Sequence, residues 1–192
     1  EPAVRPAVPL AGPGPEQMAM LLGAVPLFGG LGEEERLALA RHGRLRRLGA
    51  ETTLVQAGEG AGAMYLVVEG LLAATVPRSV GSAGGRPAAE TAVLLVPGAL
   101  VGADALLMGG SHGRTVRTRT AVLLAEFDHE ALGALFTGRA GVAEQLSRRV
   151  AEQMLADRQG AAGRALGPAA VGDLAEDVLG NLRRLYGDRA LH

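Results

Sequence analysis

RLRRL (44–48), TTLVQ (52–56), MYLVVE (64–69), LAATV (72–76), ETAVLLV (90–96) and TVRTRTAVLLAEF (115–127) follow one another between residues 44 and 128. Each run is short, rich in β-branched and aliphatic residues, and bounded by Gly or Pro, which is the pattern of strands separated by turns. Several strands at such close spacing predict a roll, barrel or sandwich. Gly49, Gly58, Gly62, Gly70 and Gly98 stand between the runs, where a tight turn or a positive φ carries no Cβ penalty. The longest turn reads PRSVGSAGGRP (77–87), a candidate hairpin tip.

The periodicity changes on both sides of this region. Upstream, EPAVRPAVPLAGPGP (1–15) has five prolines and no period, so it reads as an extended linker. Met18, Leu21 and Leu22 then fit a short amphipathic helix, broken by Val25-Pro26-Leu27-Phe28. A second helix runs from Glu33 to Arg41 with Leu37 inward. Downstream, Leu132 and Leu135 follow Glu130 at helical spacing, and Val142, Leu146, Val150 and Met154 recur every four residues, predicting a long helix near 139–158. Gly160, Gly163, Gly167 and Pro168 interrupt it. Leu174, Val178, Leu182 and Leu185 mark a last, docking helix. The expected class is α+β: an antiparallel, jelly-roll-like β-roll with short helices before it and long helices after it. The expected division is a linker at 1–15, one domain at 16–160 and a tail with an amphipathic helix at 161–192.

Composition removes several functions. The 192 residues carry a formal net charge of −1, with 19 basic residues that are all Arg, so no excess positive field exists to hold nucleic acid or an anionic membrane. There is no Cys, hence no disulfide framework and no thiolate chemistry, which suits a reducing, cytoplasmic setting. No apolar run approaches the ~20 residues of a membrane-spanning helix. His42, His112, His129 and His192 are scattered without metal-ligand spacing, and no nucleophile stands beside a base, so an enzyme is not expected.

Three strings resemble the cyclic-nucleotide-binding domain family shared by ion channels, kinase regulatory subunits and Crp-like transcription factors. VPLFGGLGEEERLALA (25–40) looks like the family's entry helices. QAGEGAGAMYLVVEG (56–70) matches a family segment at Gly58, Glu59, Tyr65, Val67 and Gly70. VGADALLMGGSHGRTV (101–116) aligns without a gap on the phosphate-binding cassette, keeping Gly102, Ala105, Leu106, Leu107, Thr115 and Val116. In that cassette a short helix presents backbone N–H groups to the cyclic phosphate, a Glu accepts from the ribose hydroxyl and an Arg forks onto the phosphate. Here Ala103 stands at the Glu position, His112 at the Arg position and Ser111 at the Pro before it.

The resemblance therefore implies a sensor with a degenerate cassette, whose candidate ligand residues are Gly102, Ala103, Asp104, Ala105, His112, Arg114 and Thr115. Two missing charge-assisted hydrogen bonds, at roughly 1.5–3 kcal/mol each, weaken binding of cyclic AMP or cyclic GMP on the order of a hundred-fold or more. Another small anion, or an empty pocket, are the alternatives. Asp104 sits one helical residue from the lost Glu, turned by about 100°, whereas Arg114 lies two residues beyond His112 and shares its face in an extended strand. His112 itself reads first as a solvated loop residue. Arg114, Arg117 and Arg119 recur along one strand, either as an anion-binding row or as a wet face balanced by carboxylates; Arg44, Arg46 and Arg47 read as an exposed strand face.

By the resemblance, the stripe Val142, Leu146, Val150 and Met154 is a lid over the pocket or a dimer seam. Packing on the domain's own roll is the plain alternative. The ending AEQLSRRVAEQMLADRQ (143–159) with GDLAEDVLGNLRRLYG (172–187) is similar to the tails of bacterial small-conductance mechanosensitive-like channels. Leu179, Leu182, Arg183, Arg184, Leu185, Tyr186 and Gly187 carry that likeness. The chain begins at Glu1 without Met, so a fragment of a larger membrane-attached protein is expected. A stand-alone or truncated Crp-like regulator, or an oligomerisation module that binds no nucleotide, is the other reading. Too few residues follow Gly160 for a winged helix-turn-helix.

Overall fold

The computed structural model describes residues 12–75, 92–137, 141–162 and 168–187. Two helices, α1 (Pro15–Ala24) and α2 (Glu33–His42), precede the strands β1 (Arg44–Leu48), β2 (Thr53–Val55), β3 (Ala63–Glu69), β4 (Leu72–Thr75), β5 (Ala92–Leu95) and β6 (Leu100–Val101). The short helix α3 (Ala103–Met108) separates these from β7 (Thr115–Thr118) and β8 (Val122–Asp128). Then follow α4 (His129–Phe136), α5 (Val142–Ala162) and α6 (Pro168–Tyr186). The strands form two four-stranded antiparallel sheets, in the orders β1-β8-β3-β6 and β2-β7-β4-β5. The expected α+β roll with flanking helices is the fold of this chain.

Local chemistry explains the boundaries. Gly70 (φ +90°) lets β3 turn directly into β4, where a Cβ would collide with the Ala121 carbonyl. Asp128 caps α4, its carboxylate accepting from the Ala131 N–H at 3.0 Å. Gly58 and Gly98 also have positive φ, but at the turn between β1 and β2 the left-handed residue is Glu51 (φ +58°), not Gly49.

Buried side chains gather in two clusters. One fills the roll interior with Val55, Tyr65, Val67, Leu72, Val116 and Leu124. The other joins the helices to the outside of the first sheet through Leu22, Phe28, Leu39, Phe127, Phe136 and Leu146. Arg44 and Arg46 lie exposed on β1, pairing with Asp128 (3.4 Å) and Glu126 (3.3 Å), and Arg46 stands over the Tyr65 ring. Burial, and next the negative Glu126, raise the Tyr65 phenol above its ordinary pKa.

Several expectations need correction. Leu21 is exposed and Leu37 only half-buried, because Met18, Leu22 and Leu39 carry the packing of the entry helices. The run 115–127 contains two strands, split by a turn at 119–121. The two-residue strand β6 was not expected. Helix α5 continues through Gly160 to Ala162, and Pro168 begins α6 instead of merely interrupting a helix, since the first helical position needs no N–H. The expected hairpin tip at 77–87, most of the linker (1–11), and Gly163 and Gly167 lie outside the described residues.

The last helix docks on the elements before it. Helix α6 packs into the helical cluster, with Val178 and Leu182 at 0% exposure, although Leu185 of the expected stripe faces solvent. Its Asn181 Nδ2 donates to the Leu107 carbonyl of α3 at 2.8 Å. Its Tyr186 shares a 3.0 Å hydrogen bond with His129 Nδ1 and meets Phe136 edge-on.

Candidate functional site

A cavity of about 210 Å³ opens where the two buried clusters meet. Val55, Ala74, Val101 and Val116 of the roll form its inner walls, and Leu95 and Leu100 close one side. Leu27 of the entry turn and Val150, Gln153 and Met154 of α5 form the facing wall. Roll and helices therefore share one concave surface. Val55, Ala74, Leu95, Leu100 and Gln153 did not stand out individually in the sequence, because a strand-like or helical run does not mark which of its side chains border a gap.

The cassette supplies the polar part. β6 ends at Gly102, whose φ of +79° turns the chain into α3, and Gly102, Ala103 and Asp104 line the cavity. On the other side, residues 56–61 zip onto 110–115. The Gly58 N–H donates to the His112 carbonyl and the His112 N–H to the Glu59 carbonyl, both at 2.8 Å. The Ala61 N–H donates to the Gly110 carbonyl at 3.1 Å, and Gly60 bridges Ser111. This pairing holds His112 inside: it is 7% exposed and borders the cavity. The expectation of a solvated loop histidine is thus overturned, because the glycine-rich loop covers a segment that would otherwise be open. A Cβ on Gly102 would lie 2.7 Å from His112 Cε1, so the glycine is required by the ring as well as by its own φ.

Of the seven candidate ligand residues, Gly102, Ala103, Asp104, His112 and Arg114 border the cavity. Ala105 and Thr115 do not. Ala105 is buried in α3, and Thr115 Oγ1 accepts from the Ala57 N–H at 3.1 Å, so it fastens the loop. Asp104 reaches the cavity despite its expected rotation, as an exposed side chain at the mouth. Arg114 is exposed there too, although residues 112–114 precede β7 and are not the extended strand that the two-residue spacing assumed. Arg117 and Arg119 both pair with Glu51, at 3.5 and 3.6 Å, and so form the balanced wet face and not an anion-binding row.

The helical stripe divides in function. Val142, Leu146 and Val150 are buried at 1–3% exposure within one chain, while half-buried Met154 and Val150 contribute to the cavity wall. At the start of α5, Gln145 Nε2 donates to the Gly30 carbonyl at 2.8 Å and ties the helix to the entry turn. Helix α3 is held from behind: Gly109 N–H reaches the Leu106 carbonyl, Gly110 N–H the Ala105 carbonyl, and Asn181 takes the Leu107 carbonyl. The entry turn and α3 are thereby tied to α5 and α6.

Among the described residues no group of His, Asp and Glu is arranged to hold a metal ion, and no helix is long and apolar enough to cross a membrane.

Residues 45–139 match a family model described as the cyclic nucleotide-binding domain. No curated protein matches the chain. Among solved structures it is similar to the N-terminal domain of a transcriptional regulator from Streptomyces coelicolor A3(2), at 24% identity and TM-score 0.60, covering 76% of this chain and 96% of that one. It is also similar to the regulatory domain of Toxoplasma gondii PKA co-crystallised with cAMP, at 20% identity, TM-score 0.55 and 77% coverage. The sensor domain of the transcriptional regulator DNR from Pseudomonas aeruginosa matches at 16% identity and TM-score 0.56, covering 78% of this chain and 93% of that one. At these identities the likeness concerns the fold. The chain spans 50% of the length of the Toxoplasma protein.

Proposed function

We propose, from the premise that residues 45–139 belong to the cyclic nucleotide-binding domain family, that this chain is a regulatory sensor domain whose cassette has lost its grip on cyclic nucleotides. It works by the coupling of its cavity to α5, not by catalysis. The observation that carries the reading is that Val150 and Met154 belong at once to the cavity wall and to the apolar face of α5. Whatever fills the cavity changes what these two side chains touch. Burial of one such side chain contributes about 1.5–3 kcal/mol, enough to bias a two-state balance of a few kcal/mol.

Cyclic AMP and cyclic GMP are weak ligands in this reading. Ala103 offers a methyl group where the sugar hydroxyl needs an acceptor, and His112 replaces the forked phosphate anchor. A small anion is the other ligand class the residues allow, with Arg114 at the mouth. The stripe Val142, Leu146 and Val150 is occupied within its own chain, which favours the lid role over the dimer seam. Homo-oligomers would then form through other faces of the C-terminal helices.

The domain acts in the cytoplasm, as part of a larger protein such as a channel or as a Crp-like regulator, with no nucleic-acid contact of its own. Hydrogen exchange tests the coupling. Occupancy of the cavity should slow exchange in residues 142–156, and ligand binding with no change there would reject it.

A further inference from the structure

His112 is the only buried polar side chain among the described residues that line the cavity. Its backbone N–H and C=O are both engaged in pairing with residues 58 and 59, while its ring borders the cavity. A ring nitrogen on a cavity wall keeps a donor or acceptor available to water or to a ligand in the cavity. The wall around it is apolar, formed by Val55, Ala74, Val101, Val116 and Val150. The volume of about 210 Å³ corresponds to about seven water-sized groups, below the ~300–1,000 Å³ of pockets for drug-sized ligands. At the mouth Arg114 has no acidic partner among the described residues, whereas Arg117 and Arg119 share Glu51.

The geometry points to a ligand outside the nucleotides: a short apolar monocarboxylate, its tail among the valines, its carboxylate on the His112 ring, with the Arg114 guanidinium closing from the mouth. This rests on the cavity being the ligand site of the sensor proposed above, and names its ligand class. Size and chemistry agree. The space with α5 in place holds a chain of a few carbons, and Ala103 provides nothing for a sugar to bind. A planar guanidinium and an imidazole suit the two oxygens of a carboxylate. Asp104 also stands at the mouth; it is exposed, so solvent and salt reduce its repulsion.

Titration of the full chain with hexanoate, 1-hexanol and cyclic AMP, followed by amide chemical shifts, tests this. Hexanoate is expected to bind at least about ten-fold more tightly than 1-hexanol or cyclic AMP, the scale of one charge-assisted hydrogen bond. His112→Phe, which keeps a flat ring without a donor, should bring hexanoate down to the level of 1-hexanol. Asp104→Asn should strengthen it. If His112→Phe does not fold, Arg114→Gln on an exposed residue decides instead, with an expected several-fold loss for hexanoate alone.

Equal affinity for 1-hexanol, tighter binding of cyclic AMP, no hexanoate binding, or a head-group preference that survives these variants would each overturn the ligand class. Protection of residues 142–156 by cyclic AMP but not by hexanoate would overturn the ligand class and leave the sensor standing. Hexanoate bound in the cavity without that protection would overturn the sensor and leave the ligand class standing.

Discussion

Replacing Asn181 by Leu should loosen the cassette from behind without touching the cavity. Asn181 is 8% exposed, and its Nδ2 donates to the Leu107 carbonyl at 2.8 Å while the side chain lies against Gly109. The neighbouring carbonyls of α3 are satisfied by Gly109 and Gly110, so Leu107 has no backbone donor to fall back on. A leucine of similar volume keeps the apolar contact of α6 and strands one buried acceptor, at about 1–3 kcal/mol. In a chain of this size each kcal/mol moves the melting temperature about 2–4 °C, so a drop of about 4–8 °C is expected at mid-range. Asn181→Asp should be worse at neutral pH, because an acceptor then faces an acceptor in a buried setting. Thermal unfolding followed by circular dichroism gives the loss, and hydrogen exchange locates it: amides 103–110 should exchange faster while β3 and β8 keep their protection. An unchanged melting temperature, or a loss with no change at 103–110, would refute the idea that α6 holds the cassette.

Gly102→Ala should cost about 2–4 kcal/mol in chemical denaturation, combining a left-handed backbone with a Cβ 2.7 Å from His112. Leu146→Ala, at 1% exposure, should cost about 2–5 kcal/mol by the same assay; an effect below 1 kcal/mol would mean that α5 is not seated in its own chain. Tyr186 carries a pH prediction. Burial first, and Asp128 second, hold its phenol above the ordinary value of 10.0, so the folded state retains the proton more firmly than the unfolded one. The stabilisation is complete below pH 10 and declines as pH rises above it. Tyr186→Phe should remove that alkaline decline while losing the His129 hydrogen bond, and an identical alkaline decline in both proteins would contradict the assignment.

The roll was legible in the sequence because short β-branched and aliphatic runs alternate with turns that carry glycine or proline. The run 44–48 coincides with β1, and 64–69 falls within β3. The boundary between the two strands within 115–127 is hidden in the sequence because the turn at 119–121 is Arg-Thr-Ala, without Gly or Pro to mark it. A single Gly160 does not break α5, because a glycine costs only about 1 kcal/mol in a helix. The stripe of α6 showed that one face is buried but not on what, so its seat on α3 and α4 stayed hidden. Of the seven candidate residues within 101–116, five border the cavity. The burial of His112 was not legible, because it depends on residues 56–61 pairing with 110–115, a long-range contact that neither local pattern records.

In the function proposed above the cassette keeps its frame and lacks nucleotide anchors at 103 and 112. Calorimetric titration of cyclic AMP and cyclic GMP into the wild type and into Ala103→Glu with His112→Arg tests it most directly. Weak or undetectable binding to the wild type is expected, with a gain on the order of a hundred-fold in the double variant as two charge-assisted hydrogen bonds return. Low-micromolar or tighter binding to the wild type, or no gain in a folded double variant, would contradict it.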